Sequence, residues 1–208
     1  KNLQQVDKNG EDCVIENAVW VGDKLKRVKI NYKGKSIRRN ANKVDLEKNE
    51  TAKKLLKKYK NEISYSTDQI MRYVKRNQKE YINELFSDRN ILIAGWFLKK
   101  FENLTDKEIS ESLKFIFTSA LPNFSKMIPG DLEKVIGKSG WQISKFWAPE
   151  IHAEKNVIIS LEQRLKKYVK GKEEIDKLKT NTNYKLHNKS SHNLSMISEN
   201  SVDYIFTD

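Results

Sequence analysis

The sequence predicts an α+β fold: a mainly helical body behind a small basic β-meander, with a further strand-like run at the C-terminal end. Three observations carry this. Short alternating runs separated by Gly-containing turns occupy residues 13–39. Apolar residues then recur at helical spacing from Asp45 onward. Finally, SVDYIFTD (201–208) combines β-branched and aromatic residues as a strand buried on both faces does. The expected organisation is a β-rich region over 1–44, a helical body over 45–179 and the start of a further domain over 180–208.

Residues 1–12 are polar and read as a loose start. CVIENAVWV and KLKRVKINY are separated by Gly22-Asp23, and KSIRR follows Lys33-Gly34; both dipeptides are hairpin signals. In the second run Val28, Ile30 and Tyr32 face one way and Arg27, Lys29 and Asn31 the other. With Lys33, Lys35, Arg38 and Arg39 nearby, the outward face can grip phosphates, which positions a protein without reading sequence. The same charges equally suit a solvated face that keeps an edge strand from aggregating.

Asp45–Lys60 reads as a charged helix with Leu46, Leu55, Leu56 and Tyr59 as its apolar members. Ser66-Thr67-Asp68 offers N-cap chemistry ahead of Ile70, Met71, Tyr73 and Val74. Ser87 or Asp88 caps a helix that is apolar nearly all round and therefore central to the core. Thr105-Asp106-Lys107-Glu108 resembles a capping box opening a helix through Ile109, Leu113, Ile116 and Phe117. Residues 122–150 form a long Pro-, Gly- and Trp-containing connection, of the kind that is usually functional or mobile. Asn156–Val169 reads as a helix closed at Gly171, followed by a second helical stretch, EEIDKLK.

At 208 residues the chain suits one domain with an appendage, and its 38% hydrophobic and 33% charged residues describe a core under a densely charged surface. The longest apolar run, Ile91–Leu98, is closed by Lys99 and Lys100, far short of the roughly 18 residues of a membrane span. The first ten residues do not resemble a signal peptide, and one cysteine excludes an internal disulfide framework or a cysteine-rich zinc site. A cytoplasmic location is the expectation, with no membrane partner. The net charge of +12 is uneven, since residues 1–60 hold 17 basic against 8 acidic side chains. Such a field attracts polyanions, nucleic acid first among them. Lysine- and asparagine-rich usage from an AT-rich genome produces the same excess.

Chemistry-bearing motifs are few. His152, His187 and His192 have no compact ligand spacing, so no metal site is expected. Cys13 lies in a predicted strand without a nearby histidine, which suits a buried structural thiol. Neither a GxGxxG nor a GxxxxGK[ST] loop occurs. Trp141, Phe146 and Trp147, interleaved with Lys138 and Lys145, can stack bases or pin the loop to the core. Lys126 and Lys145 join Lys29, Lys33, Lys35, Arg38 and Arg39 as candidate DNA contacts.

Asp208 carries a resemblance. SENSVDYIFTD is similar to the segment leading into the catalytic Asp-Pro-Pro-Tyr tetrapeptide of amino-group DNA methyltransferases, and the sequence stops at the motif's Asp. Two upstream stretches resemble blocks of one subgroup in the same order: NELFSDRNILIAGWFLKKFENLTDKEISESLKFIFTSALPNFSKM and GWQISKFWAPEIHAEKNVIISLEQRLKKYVKGKEEI. The chain departs from these relatives at INYKGKSIRRN, where they often carry a cysteine-paired knuckle. Their AdoMet-binding Phe-x-Gly-x-Gly loop lies far downstream of the tetrapeptide and is not in these 208 residues.

The resemblance implies the front part of a larger restriction-modification or phage-defence enzyme, inactive as the fragment alone. Tyr184–Lys189 and Val202–Thr207 would be the first strands of a Rossmann-like methyltransferase sheet. S-adenosyl-L-methionine would be the cofactor, through residues this sequence does not identify, and double-stranded DNA the partner. Asp208 would hold the exocyclic amino group of a flipped adenine or cytosine. The alternative is a non-catalytic basic nucleic-acid-binding module, which needs no missing half. A third reading is an interaction subunit using its tryptophan-rich loop.

Overall fold

The computed structural model describes residues 5–7, 12–64, 81–137, 148–178, 185, 187–188, 190 and 192–206. Among these residues the fold is α+β: four α-helices and a five-stranded antiparallel sheet, with a small two-stranded hairpin. Residues Lys1–Gly171 form one compact unit and Lys172–Asp208 a second. The sheet and most of the helical body thus share a unit.

The expected meander is present as β2 (Asp12–Val21), β3 (Lys24–Tyr32) and β4 (Lys35–Asn40), preceded by β1 (Gln5–Asp7). The Lys33-Gly34 turn has φ of 48° and 80°, the pair of positive angles that a two-residue hairpin of matching twist requires. Beyond these strands, the sheet takes a fifth from a part of the chain where no strand was expected. Ile151–Lys155 (β7) pairs with Asn17–Val21 along the edge of β2 opposite β3, while β1 occupies the rest of that edge. IHAEK is too short and too polar to announce itself, and its pairing comes entirely from β2.

One face of the sheet is apolar: Cys13, Ile15, Ala18, Trp20, Leu25, Val28 and Ile30 form a single buried cluster with Ala41 and Val44 against it. Cys13 is buried, as a structural thiol would be. Helix α1 (Lys43–Tyr59) starts at Asn42, whose side chain accepts from the Asp45 amide at 3.0 Å while the Asn42 amide donates to Asp45 at 2.8 Å. Leu55, Leu56 and Tyr59 pack inward as expected, but Leu46 is 48% exposed.

Helix α2 (Asp88–Glu102) is capped by Ser87 and buries every residue from Arg89 to Gly95, the central position its composition predicted. Two buried polar contacts tie it to β7. The Ser87 amide donates to Glu154 Oε1 at 3.0 Å, placing a carboxylate at the helix N-terminus. Asn90 Nδ2 donates to the carbonyls of Phe124 at 2.9 Å and Lys155 at 3.3 Å. Helix α3 (Lys107–Ala120) is capped by Asp106 alone, accepting from the Ile109 amide, in place of the expected capping box. Ile109, expected inside, is solvent-exposed because it sits on the first turn beyond the core cluster.

The connection after α3 carries regular structure within residues 121–137. A 3-10 turn (Leu121–Phe124) leads to a hairpin of β5 (Gly130–Asp131) and β6 (Ile136–Gly137). Val135 and Leu132 pack with Val19 and Ala153 on the second face of the sheet. Helix α4 runs from Val157 to Lys177 and is not closed at Gly171. A helical glycine costs about 1 kcal/mol, and the flanking Lys170, Lys172, Glu173 and Glu174 are strong enough helix formers to carry the helix through. The stretch expected as a separate helix is its continuation.

In the second unit, Val202–Phe206 carries no strand, and its residues are exposed, Phe206 at 81%. Lys185, His187 and Asn188 are likewise irregular and exposed. An extended run becomes a strand only when a neighbour takes its backbone groups. The expected helix start at 66–74, the aromatic loop at 141–147, Tyr184, Lys189, Thr207 and Asp208 lie outside the described residues. Among the described residues no helix is long and apolar enough to cross a membrane.

Candidate nucleic-acid interface

The second face of the sheet carries a groove of about 770 Å³, walled by the β5–β6 hairpin, the 3-10 turn and the start of α4. Its floor is a row across three strands. Asn17 in β2 stands opposite Lys29 in β3 on one side and opposite Lys155 in β7 on the other, so the three side chains share a face. The row sits one lysine either side of a carboxamide.

A β-bulge shapes this floor. Register shifts between Ile15 and Asn17, where Glu16 has no opposite residue in β3. Strict alternation would send Glu16 and Asn17 to opposite faces, but the bulge brings both to the groove. Glu16 then clamps the β3 side: Lys29 Nζ lies 2.7 Å from Oε2, and Asn31 Nδ2 donates to Oε1 at 3.3 Å.

Asn156 fixes the far wall. Its Nδ2 donates to the Ile15 carbonyl at 2.9 Å and its amide to the Glu16 carbonyl at 2.9 Å, pinning the start of α4 to the bulge. Its Oδ1 accepts from the amides of Ile158 and Ile159 at 2.9 and 3.2 Å, as an N-cap does. The first turns of α4 thereby present Ile159, Gln163 and Arg164 to the groove. Lys155 and Arg164 make no ion pair or hydrogen bond through their side chains to any described residue. With Lys29 balanced by Glu16, these two cations leave the groove with an excess of positive charge.

The expected DNA contacts divide among several places. Lys29 lines the groove. Arg38 and Arg27 turn toward the hairpin instead, Arg38 Nε donating to the Lys134 carbonyl at 2.9 Å and Arg27 Nη1 to that of Leu132 at 2.7 Å. Lys33 and Lys35 are exposed at the β3–β4 turn, the Lys33 ammonium lying 5.1 Å from the Tyr32 ring centre. Arg39 belongs to the other face: it follows Arg38 by one residue, so the pleat reverses it. There it makes a bidentate pair with Asp45, whose side chain is fully buried. Lys126 lies 3.4 Å from Asp23, with its own side chain largely covered. Lys145 and Asp208 lie outside the described residues. The groove residues Asn17, Lys155, Gln163 and Arg164 were not legible as a site. The one local signal was the consecutive polar pair Glu16-Asn17 interrupting an apolar strand.

The apolar side of the sheet has its own electrostatics. Burial lowers the Arg89 pKa, with the Glu154 and Asp45 carboxylates opposing that shift. Burial likewise lowers the His152 pKa, against an opposing pull from Glu154 and the Pro149 carbonyl. His152 stacks on Trp20 with ring centres 6.4 Å apart and planes 8° from parallel. Its Nδ1 lies 3.1 Å from the Pro149 carbonyl, which selects the neutral tautomer with the proton on Nδ1. Glu154 joins β7 to α2 through its hydrogen bond from the Ser87 amide, and its charge acts on both Arg89 and His152.

Comparison with family models, with curated proteins and with solved structures finds no match to this chain.

Proposed function

We propose that this chain is the DNA-engaging front portion of an AdoMet-dependent, site-specific amino-group DNA methyltransferase of restriction-modification or phage defence. The methyl-transfer half of the reading rests on the three resembling stretches, in order, that end at Asp208. The DNA half rests on one observation, the Lys29–Asn17–Lys155 row with Arg164 beside it, where Lys155 and Arg164 are unpaired among the described residues. Cations held on rigid elements and not neutralised at home are what backbone phosphates require.

In this reading S-adenosyl-L-methionine supplies an electrophilic methyl group. Asp208 accepts hydrogen bonds from the amino group of a base taken out of the stack, stabilising positive charge as it builds on that nitrogen. The run 202–207 then becomes a strand of a Rossmann-like sheet once the rest of that sheet is beside it.

A second reading, a non-catalytic basic nucleic-acid-binding module, is favoured by a specific observation. The groove is built wholly within the first unit, whereas Val202–Phe206 forms no strand.

Two measurements test these readings. Duplex DNA binding by residues 1–208 should weaken with salt, and Lys155→Ala or Arg164→Ala should each reduce the log–log salt slope by about 0.9. Salt-independent binding, or slopes unchanged by both substitutions, removes the groove from the reading. In the parent enzyme Asp208→Ala should abolish methyl transfer with DNA binding retained, while the isolated fragment transfers nothing. Full transfer by Asp208→Ala removes Asp208 from the chemistry, and no transfer by the unmodified parent leaves only the binding module.

A further inference from the structure

We infer that the groove is a nucleotide pocket, holding one phosphate and one base rather than only a length of backbone. This rests on the reading of the groove as a nucleic-acid surface and says what that surface takes.

Asn17 carries the inference. It is only 8% exposed, lines the groove, and its carboxamide makes no hydrogen bond to any described residue. Its amide atoms are not among the buried polar atoms left without a partner, so they open onto the groove, where an entering ligand can take the place of water. A carboxamide offers one donor and one acceptor side by side, the pattern that meets a base edge presenting the complementary pair, adenine above all. A phosphate offers acceptors only and would leave the Asn17 oxygen unmatched.

The surroundings divide in the same way. Lys155 and Arg164 are the cations free to hold a phosphate. Ile128, Ile136 and Ile159 present apolar surface suited to the faces of a flat base. A volume of about 770 Å³ is ample for a nucleotide and falls within the range of small-molecule pockets. A duplex keeps its base edges at the bottom of its own grooves, out of reach of a concave floor. The ligand is therefore an unstacked nucleotide, either free as a monophosphate or carried in a single strand.

The test is calorimetric titration of the full chain with dAMP, dCMP and inorganic phosphate, then with a short single-stranded oligo(dA) and a paired duplex. The expected result is dAMP binding at least tenfold tighter than phosphate, with dCMP between them. Asn17→Asp keeps the shape, loses the donor and adds a charge that weakens dAMP and phosphate alike, so the readout is their ratio, which should fall to about one. Lys155→Met with Arg164→Met should weaken both ligands. Circular dichroism and the melting curve establish that each variant is folded, and Asn17→Ser replaces Asn17→Asp if the latter is not. Oligo(dA) binding tighter than dAMP identifies a strand as the source; equal affinity identifies the free nucleotide. If dAMP binds no better than phosphate, or Asn17→Asp leaves its preference intact, the inference is wrong. Duplex binding retained in that case leaves the proposed function standing, whereas loss of duplex binding as well removes both.

Discussion

Replacing Asn156 with alanine should cost this fold about 2–4 kcal/mol, and the structure shows where that comes from. Asn156 is 3% exposed. Its Oδ1 caps α4 through two amides, and loss of an N-cap side chain costs about 1 kcal/mol. Its Nδ2 is a hydrogen-bond donor to the Ile15 carbonyl at the β-bulge, and stranding a buried acceptor adds about 1–3 kcal/mol. The Asn156 amide bond to Glu16 is backbone and survives the change. Against a total stability of about 5–15 kcal/mol for a domain, this is a large fraction. Urea unfolding followed by circular dichroism measures it as a shift in midpoint at constant slope. Asn156→Ser, which keeps a cap oxygen and loses the long-range donor, should recover about 1 kcal/mol. An Asn156→Ala variant within 0.5 kcal/mol of wild type would refute the reasoning, because it would mean that neither the cap nor the pin to β2 contributes.

Two further outcomes follow from the sheet. The His152 pKa is lowered by burial, so between its folded value and about 6.5 the unfolded chain binds a proton that the folded chain does not. Stability should therefore fall as pH drops below about 6.5, by up to about 1.4 kcal/mol per pH unit. His152→Phe should remove that slope in denaturant titrations at pH 5–7, although Glu154, Asp23 and Lys126 act on the same group; an unchanged slope would show that His152 does not titrate there. Gly130 approaches β7 so closely that an added Cβ would lie 2.8 Å from the His152 carbonyl carbon and 2.9 Å from its oxygen. Gly130→Ala should push the hairpin off the sheet at a cost of about 1–3 kcal/mol, read as a lower melting temperature, and a neutral result would mean the hairpin moves freely.

Local chemistry in the sequence was enough for the elements that depend on near neighbours. The Lys33-Gly34 turn, the cap at Ser87, the inward Val28 and Ile30, and the all-round apolar α2 each follow from residues within a few positions of one another. Turn angles, cap hydrogen bonds and the two periodicities act at that range. What the sequence left undetermined was long-range pairing. β7 is five polar-leaning residues that become a strand only because β2 offers a free edge, roughly 135 residues earlier in the chain. The groove inherits that dependence: Asn17 and Lys155 are neighbours only through this pairing, and Arg164 reaches them only because Asn156 anchors α4 to the bulge. The fate of individual charges was also tertiary. Arg38 and Arg39 are identical in type and adjacent in sequence, yet the pleat sends one toward solvent and the hairpin and the other to buried Asp45. Composition determines that this protein is basic; only the packing of distant strands decides which of its cations are free to meet a ligand.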